Sequence, residues 1–189
     1  MAVGLKFRRE NPERLMKHEM PDTKSAGHLP LRDGVGIVLL NAKRQIWIGQ
    51  RRPRWYMKNG GSIWQFPQGG INPGETPVEA ARRELFEETN IRNADMVAES
   101  VAWLTYEVPT HALGLAMKGR FRGQRQRWFL MQYDGRDRDI DITGRRNRMK
   151  PEFQAWRWSI PEEFLPMSIE HKREVYAEVL AEFERWLRP

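Results

Sequence analysis

Apolar and polar positions recur along this chain with two different periods, and the switches between them mark out the elements. Gly34–Leu40 (GVGIVLL) is an unbroken apolar run that ends at a polar NAKR turn, the pattern of a strand buried on both faces. Gln45–Gly49 (QIWIG) alternates and predicts the second strand of a hairpin. Further strands are expected at Ile63–Phe66, once or twice within Met96–Val108, centrally at Gln126–Tyr133, and at Glu152–Trp158. In the last of these, a period of two puts Phe153, Ala155 and Arg157 on one face and Gln154, Trp156 and Trp158 on the other. The helical period appears twice. Thr76 as N-cap, Pro77 at the first helical position and Glu79 three residues after the cap form a capping box, so a helix is expected to start at Pro77. Ala81 and Leu85, four apart, face its core side. Near the end, Val175, Val179, Leu180, Phe183 and Leu187 stripe one face of Ile169–Leu187. Strands with one helix inside the chain and one at its end predict an α/β (α+β) three-layer sandwich around a mixed sheet.

Between these elements lie segments without clear period. Residues 1–30, with Pro12, Pro21 and Pro30, read as an N-terminal extension with a short helix near Glu13–His18, and 31–189 as one domain. Residues 50–62 form a basic, aromatic, Gly-containing loop. Its Trp55 and Tyr56 are candidates to touch a nucleotide, whereas Trp64, Trp103, Trp128, Trp156 and Trp158 sit in strands and read as core. Thr110–Gly123 is loop-like, Asp134–Lys150 reads as a mobile loop, and Pro161 starts a short turn.

Composition narrows the class. A chain of 189 residues, 40% hydrophobic and 30% charged, fits one globular domain. With no cysteine, disulfides and thiolate metal sites are excluded, and a cytoplasmic setting is the expectation. No apolar run approaches the roughly 20 residues of a membrane span, and the N-terminus lacks the apolar core of a signal peptide. The formal charge is +7. It is concentrated at 118–150, where eleven Lys/Arg face four Asp, which by charge alone reads equally as a soluble basic surface or as a face for a polyanionic substrate.

The chemistry is concentrated at 69–91, GGINPGETPVEAARRELFEETNI. Glu84, Glu87 and Glu88 at i, i+3 and i+4 share one helix face, where like charges cost only about 0.2–0.5 kcal/mol per pair. By itself that describes an ordinary solvated acidic face. Glu75 in the loop and Arg83 eight residues on can tie loop to helix, and Gly69, Gly70 and Gly74 let a ligand approach the backbone. Clustered oxygen donors beside such a loop suit a hard divalent cation that holds phosphates.

The spacing G-x5-E-x7-R-E-U-x-E-E-x-G-U, with U apolar, resembles the Nudix box. It is met by Gly69, Glu75, Arg83, Glu84, Leu85, Glu87, Glu88 and Ile91, with Asn90 where the family has Gly. Asn is the non-Gly residue that best tolerates a left-handed helix end. GVGIVLLN, WQFPQGGINPGE, RELFEET, WLTYEVP, GQRQRWFLMQY, PEFQAWRW and HKREVYAEV extend the resemblance from about Arg32 to Phe183, toward bacterial RNA pyrophosphohydrolases and dinucleoside polyphosphate hydrolases.

The resemblance implies the Nudix fold and metal-dependent hydrolysis of a phosphoanhydride. Glu84, Glu87 and Glu88, the Gly69 carbonyl and Glu152 would bind Mg²⁺ or Mn²⁺, and one of the three box glutamates would be the base, the sequence leaving open which. Arg32 stands where the family places a phosphate- or base-contacting Arg, flanked by Leu31 and Asp33 instead of Tyr and Pro. Arg52 matches an Arg that contacts RNA phosphates, His171 stands where a stacking Phe is common, and Lys172 and Arg173 keep the family KR. Lys172 reads equally as part of a solvated helix face. The expected substrate is the 5′-triphosphate end of RNA, with the 118–150 window tracking its backbone. A dinucleoside polyphosphate, or an idle RNA-binding module, are the alternatives. Intact glutamates speak against the idle module.

Overall fold

A computed structural model describes residues 28–52, 63–110, 113 and 116–188. The N-terminal residues before His28, and the loop tip with Trp55 and Tyr56, lie outside the described residues. The chain forms β1 (Leu31–Leu40), β2 (Ile46–Arg51), β3 (Trp64–Gln65), β4 (Gln68–Gly70), α1 (Pro77–Thr89), β5 (Asp95–Glu99), β6 (Leu104–Glu107), β7 (Gly123–Gln132), β8 (Phe153–Ser159), α2 (Pro161–Met167), α3 (Arg173–Glu182) and α4 (Glu184–Leu187).

The strands make one eight-stranded mixed sheet in the order β3-β2-β1-β7-β5, with β4 also on β1, β6 on β7 and β8 on β2. β1 runs parallel to β7 from Leu31↔Gly123 to Leu40↔Gln132. Seven of its residues, Gly34–Leu40, are buried as the apolar run predicts. The strand begins three residues earlier than that run because β7, far away in sequence, supplies backbone partners for Leu31, Arg32 and Asp33.

Helices cover both faces, giving the expected three layers. On one side Ala80, Ala81 and Leu85 of α1 pack with Val35, Ile37, Leu39, Phe129 and Met131. On the other, Val175, Tyr176, Val179 and Leu180 of α3 pack with Val38, Leu40, Phe66, Trp128 and Leu130. Each Val, Leu, Ile, Phe or Met among them contributes about 1.5–3 kcal/mol when fully buried. The expected single terminal helix is broken into α3 and α4 at Phe183 and preceded by α2, where a turn was expected.

Other expectations are corrected too. Trp103, expected in a strand and in the core, lies just before β6, half-buried under the Arg125 guanidinium, which stands 5.0 Å from its ring centre. Strict alternation in β8 fails at a bulge, where the pairing with β2 shifts from Gln50↔Ala155 to Arg51↔Phe153. One extra residue reverses the facing of all that precede it. Phe153 therefore joins Trp156 and Trp158 on the α1 side, with Trp47 edge-on to Phe153 at 5.3 Å and stacked on Trp156 at 6.2 Å. The 134–150 segment is packed rather than loose. Ile140 is buried, and the Asp141 N–H donates to the Thr89 carbonyl at 2.8 Å.

The capping box of α1 is complete. The Glu79 N–H donates to Thr76 Oγ1, and the Thr76 N–H donates to Glu79 Oε2 at 2.8 Å. At the other end Asn90 is left-handed (φ 64°), and its N–H donates to the Phe86 carbonyl. Since the left-handed region costs an ordinary L-residue about 1–2 kcal/mol, Asn90→Ala is expected to lower stability by about 1 kcal/mol. Asn90→Gly, which restores the Gly common at that position, is expected to hold or raise it. Urea denaturation of the two variants checks the difference.

Candidate active site

β4 lies antiparallel to the start of β1, with Gly69 opposite Val35 and Gly70 opposite Gly34. From there the chain turns through Asn72–Gly74 into α1, so the Gly-rich loop and the acidic helix face form two walls of one corner. The predicted brace is present. Arg83 donates from Nε to Glu75 Oε1 at 2.7 Å and from Nη2 to Glu75 Oε2 at 2.9 Å. The same guanidinium donates to the Gly70 carbonyl at 2.7 Å and to Glu84 Oε1 at 2.7 Å. The hydrogen bond from Arg83 holds the Glu75 carboxyl below the usual carboxylate range, and Glu75 in turn raises the guanidinium's own pKa.

Glu84 presses its carboxylate onto Gly69, where a Cβ would stand 1.9 Å from its Cδ. Glu88 is buried and accepts the Gln68 N–H at 3.1 Å. Burial pushes the Glu84 carboxyl up, and burial followed by the charges of Glu84 and Glu152 pushes Glu88 well up. Glu87 is the more open of the set and stands 3.5 Å from Arg83. Glu152, brought from β8's leading edge, forms an ion pair of 2.8 Å with Arg51. The structure thus brings the charges of Glu84 and Glu152 to bear on Glu88. Glu84 and Glu87 are drawn toward Arg83, however, and Glu152 toward Arg51. Among the described residues no three His, Cys, Asp or Glu side chains stand as a ready-made metal cage.

The donor set fits a hard divalent cation all the same. It is all oxygen, and it holds a desolvated carboxylate, Glu88, in which burial and the charges of Glu84 and Glu152 outweigh the favourable charge of Arg51. A cation that favours the ionised form would offset the burial cost.

Arg32 reaches over Gly70, where a Cβ would fall 2.0 Å from its Nη2, and its charge acts on Glu84. Arg52 is turned onto β8, with its Nε donating to the Phe153 carbonyl at 3.1 Å. His171 and Lys172 both pack on Tyr106, with ring centroids 5.7 Å apart and Nζ 4.7 Å from the ring centre. Lys172 is buried, which excludes the solvated-face reading.

Several residues that sequence reasoning passed over complete the site. The side chain of Arg51, rather than that of Arg52, pairs with the Glu152 carboxylate. Beneath the loop, Tyr106 Oη donates to Gln124 Oε1 at 3.0 Å, and Gln126 Nε2 donates to the same oxygen at 2.8 Å and to Gln68 Oε1 at 3.4 Å. A polar path thus runs from Lys172 to the strand that grips Glu88. Gln124 and Gln126 are legible in hindsight: they alternate with Trp128 and Leu130, so they point into the same buried layer.

The sequence pattern defining the NUDIX domain matches residues 30–183. A Rhizobium meliloti protein named RNA pyrophosphohydrolase is 41% identical over 166 residues, covering 87% of this chain and 99% of its own. A Rickettsia typhi protein of the same name is 44% identical over 156 residues, covering 82% and 91%. Among solved structures, an Escherichia coli dihydroneopterin triphosphate pyrophosphohydrolase superposes with a TM-score of 0.60 at 18% identity, covering 80% of this chain and 98% of that one. A C. elegans Ap4A hydrolase superposes with a TM-score of 0.56 at 19% identity, covering 82% and 99%. At such identities these two show the fold alone. With a box complete but for Asn90, a braced glycine loop and relatives matched over nearly their full lengths, the chain belongs to the Nudix family of hydrolases.

Proposed function

We propose that this Nudix hydrolase is an RNA 5′-pyrophosphohydrolase, converting a 5′-triphosphate end to a 5′-monophosphate and so opening the RNA to decay. The observation that carries RNA over a free nucleotide is the identity of 41% and 44% to relatives named for that activity, over 99% and 91% of their lengths. Glu84, Glu87, Glu88, Glu152 and the Gly69 carbonyl would hold Mg²⁺ or Mn²⁺. Such an ion, when bound, offsets phosphate charge and lowers the pKa of water. Arg32, reaching over Gly70, orients the phosphates beside Glu84, and Arg52, next to Glu152 in the backbone pairing, would contact phosphates of the same substrate. His171 and Lys172, held on Tyr106, offer a flat ring and a cation to the first nucleotide. One box glutamate accepts a proton from the attacking water at a carboxylate oxygen. Pyrophosphate, or two phosphates in succession, leaves. No helix of the described residues is long and apolar enough to cross a membrane, and cytoplasmic RNA is the proposed substrate pool.

A side-by-side assay with Mg²⁺ tests the reading. 5′-Triphosphorylated RNA is expected to yield 5′-monophosphate RNA with a kcat/KM at least about ten-fold above that for diadenosine tetraphosphate, a difference of about 1.4 kcal/mol. Chelation is expected to abolish both activities. A preference for the free dinucleotide would replace this reading with a dinucleoside polyphosphate hydrolase.

A further inference from the structure

Most of the arginines that make this chain basic are engaged. Along β7, Arg122, Arg125 and Arg127 pair with Glu107, Asp33 and Glu99. Arg136 pairs with Asp139, and Arg146 donates to the carbonyls of Asp139 and Arg138. Arg145, Arg148 and Lys150 are different. All three are exposed, and among the described residues none of their side chains makes a hydrogen bond or ion pair. The stretch 142–151 that carries them contains no acidic residue.

This segment is fixed. Asp141 accepts the N–H groups of Thr143 at 2.8 Å and of Arg146 at 3.0 Å. Gly144 is left-handed (φ 70°), and a Cβ there would meet the Met149 carbonyl at 1.9 Å. The Met149 N–H donates to Asn147 Oδ1. Asn147 Nδ2 then donates to the carbonyls of Phe86 and Glu87, at 2.9 and 3.0 Å, clamping the segment to the last turn of α1. Two residues beyond Lys150, the Glu152 carbonyl takes the Arg52 N–H at 3.1 Å. Both anchors therefore lie on elements that build the active site. Like charges held together repel, and no acid in the segment offsets these; a polyanion laid across them does.

We propose that Arg145, Arg148 and Lys150 form a subsite for the backbone phosphates of single-stranded RNA, gripping nucleotides downstream of the 5′ end on which the carboxylates act. It rests on the RNA reading above and adds what separates a polynucleotide from a free dinucleotide, which has no downstream phosphates to engage. Cations on phosphates read no base, so the contribution is independent of sequence.

The test uses the full chain with Arg145→Gln, Arg148→Asn and Lys150→Gln combined. Asn is chosen for Arg148 because that residue is left-handed (φ 62°). On triphosphorylated RNA of about ten nucleotides, kcat/KM is expected to fall roughly 10- to 100-fold through KM. The slope of log affinity against log salt is expected to shrink by about 2, near 0.7 for each of three lost contacts. Turnover of diadenosine tetraphosphate stays within about two-fold, a change of about 0.4 kcal/mol. Unchanged RNA turnover and salt slope would overturn the subsite and leave the RNA reading standing. If the unaltered protein does not cleave triphosphorylated RNA, that reading fails instead, and anisotropy binding of a 5′-hydroxyl RNA of the same length decides the subsite. Weaker binding by the variant supports it, and equal binding refutes it. Should the combined variant melt early, the single changes Arg145→Gln and Lys150→Gln, on exposed side chains, carry the same comparison.

Discussion

Glu88→Gln is expected to lower kcat/KM by at least about 100-fold, close to 2.7 kcal/mol of transition-state stabilisation, while leaving the protein as stable as before or more so. The two halves have one origin. Glu88 is buried against the Gln68 N–H, and a glutamine oxygen can still accept that bond. What glutamine removes is the charge. Burial, with Glu84 and Glu152 nearby, raises the carboxyl's pKa in the folded protein. The folded state therefore keeps its proton to higher pH than the unfolded chain, whose carboxyls ionise near about 4.3. Stability from this group is present below that value and is lost as pH rises through the folded pKa. Glu88→Gln is expected to flatten that loss. Mg²⁺ should raise the Tm of the unaltered protein above neutral pH and raise that of the variant less. Thermal melts across pH with and without Mg²⁺, beside a turnover assay, check both halves. Full activity in Glu88→Gln would remove the residue from the cation site.

Arg83→Lys is expected to be nearly as damaging, by another route. The guanidinium spans Glu75, the Gly70 carbonyl and Glu84 at once. Lysine keeps the charge but cannot make the two-pronged contact with Glu75. With the Arg83 side chain 25% exposed, loss of its charge-assisted bonds costs about 1–3 kcal/mol. That corresponds to roughly 2–10 °C in Tm for a domain of this size. The loop that carries Gly69 then loses its register against α1, and kcat/KM is expected to fall about 10- to 100-fold. Combining Arg83→Lys with Glu75→Gln should cost clearly less than the sum of the single changes, because the two share one interaction. Strict additivity in urea denaturation would show that the brace does not act as a unit.

These residues also show how far the sequence alone reaches. The start of α1 at Pro77, its capping box, the left-handed Asn90 and the Glu75–Arg83 tie were all legible, and each closes over a few residues. The acidic face was legible as a spacing, but its electrostatics were not. Glu84, Glu87 and Glu88 look equivalent along the helix, whereas the structure buries Glu88, wedges Glu84 against Gly69 and leaves Glu87 open. That difference comes from β4, which packs on one side of the acidic stripe only. Arg51 and Arg52 likewise look interchangeable in sequence. The bulge opposite them, at Ala155/Phe153, accompanies the division in which Arg51 meets Glu152 and Arg52 meets the Phe153 carbonyl.

By itself the sequence determined most of the strands, the limits of α1 and the set of chemical groups offered to a substrate. It could do so because caps, turns and i to i+4 neighbours lie within one another's reach before the chain folds. Tertiary structure alone decided the extension of β1 along β7, the turning of Phe153 toward α1, the burial of Lys172 on Tyr106 and the clamping of 141–150 to α1. Each of these depends on which distant surface arrives to exclude water or to pair a backbone group, and no local pattern carries that information.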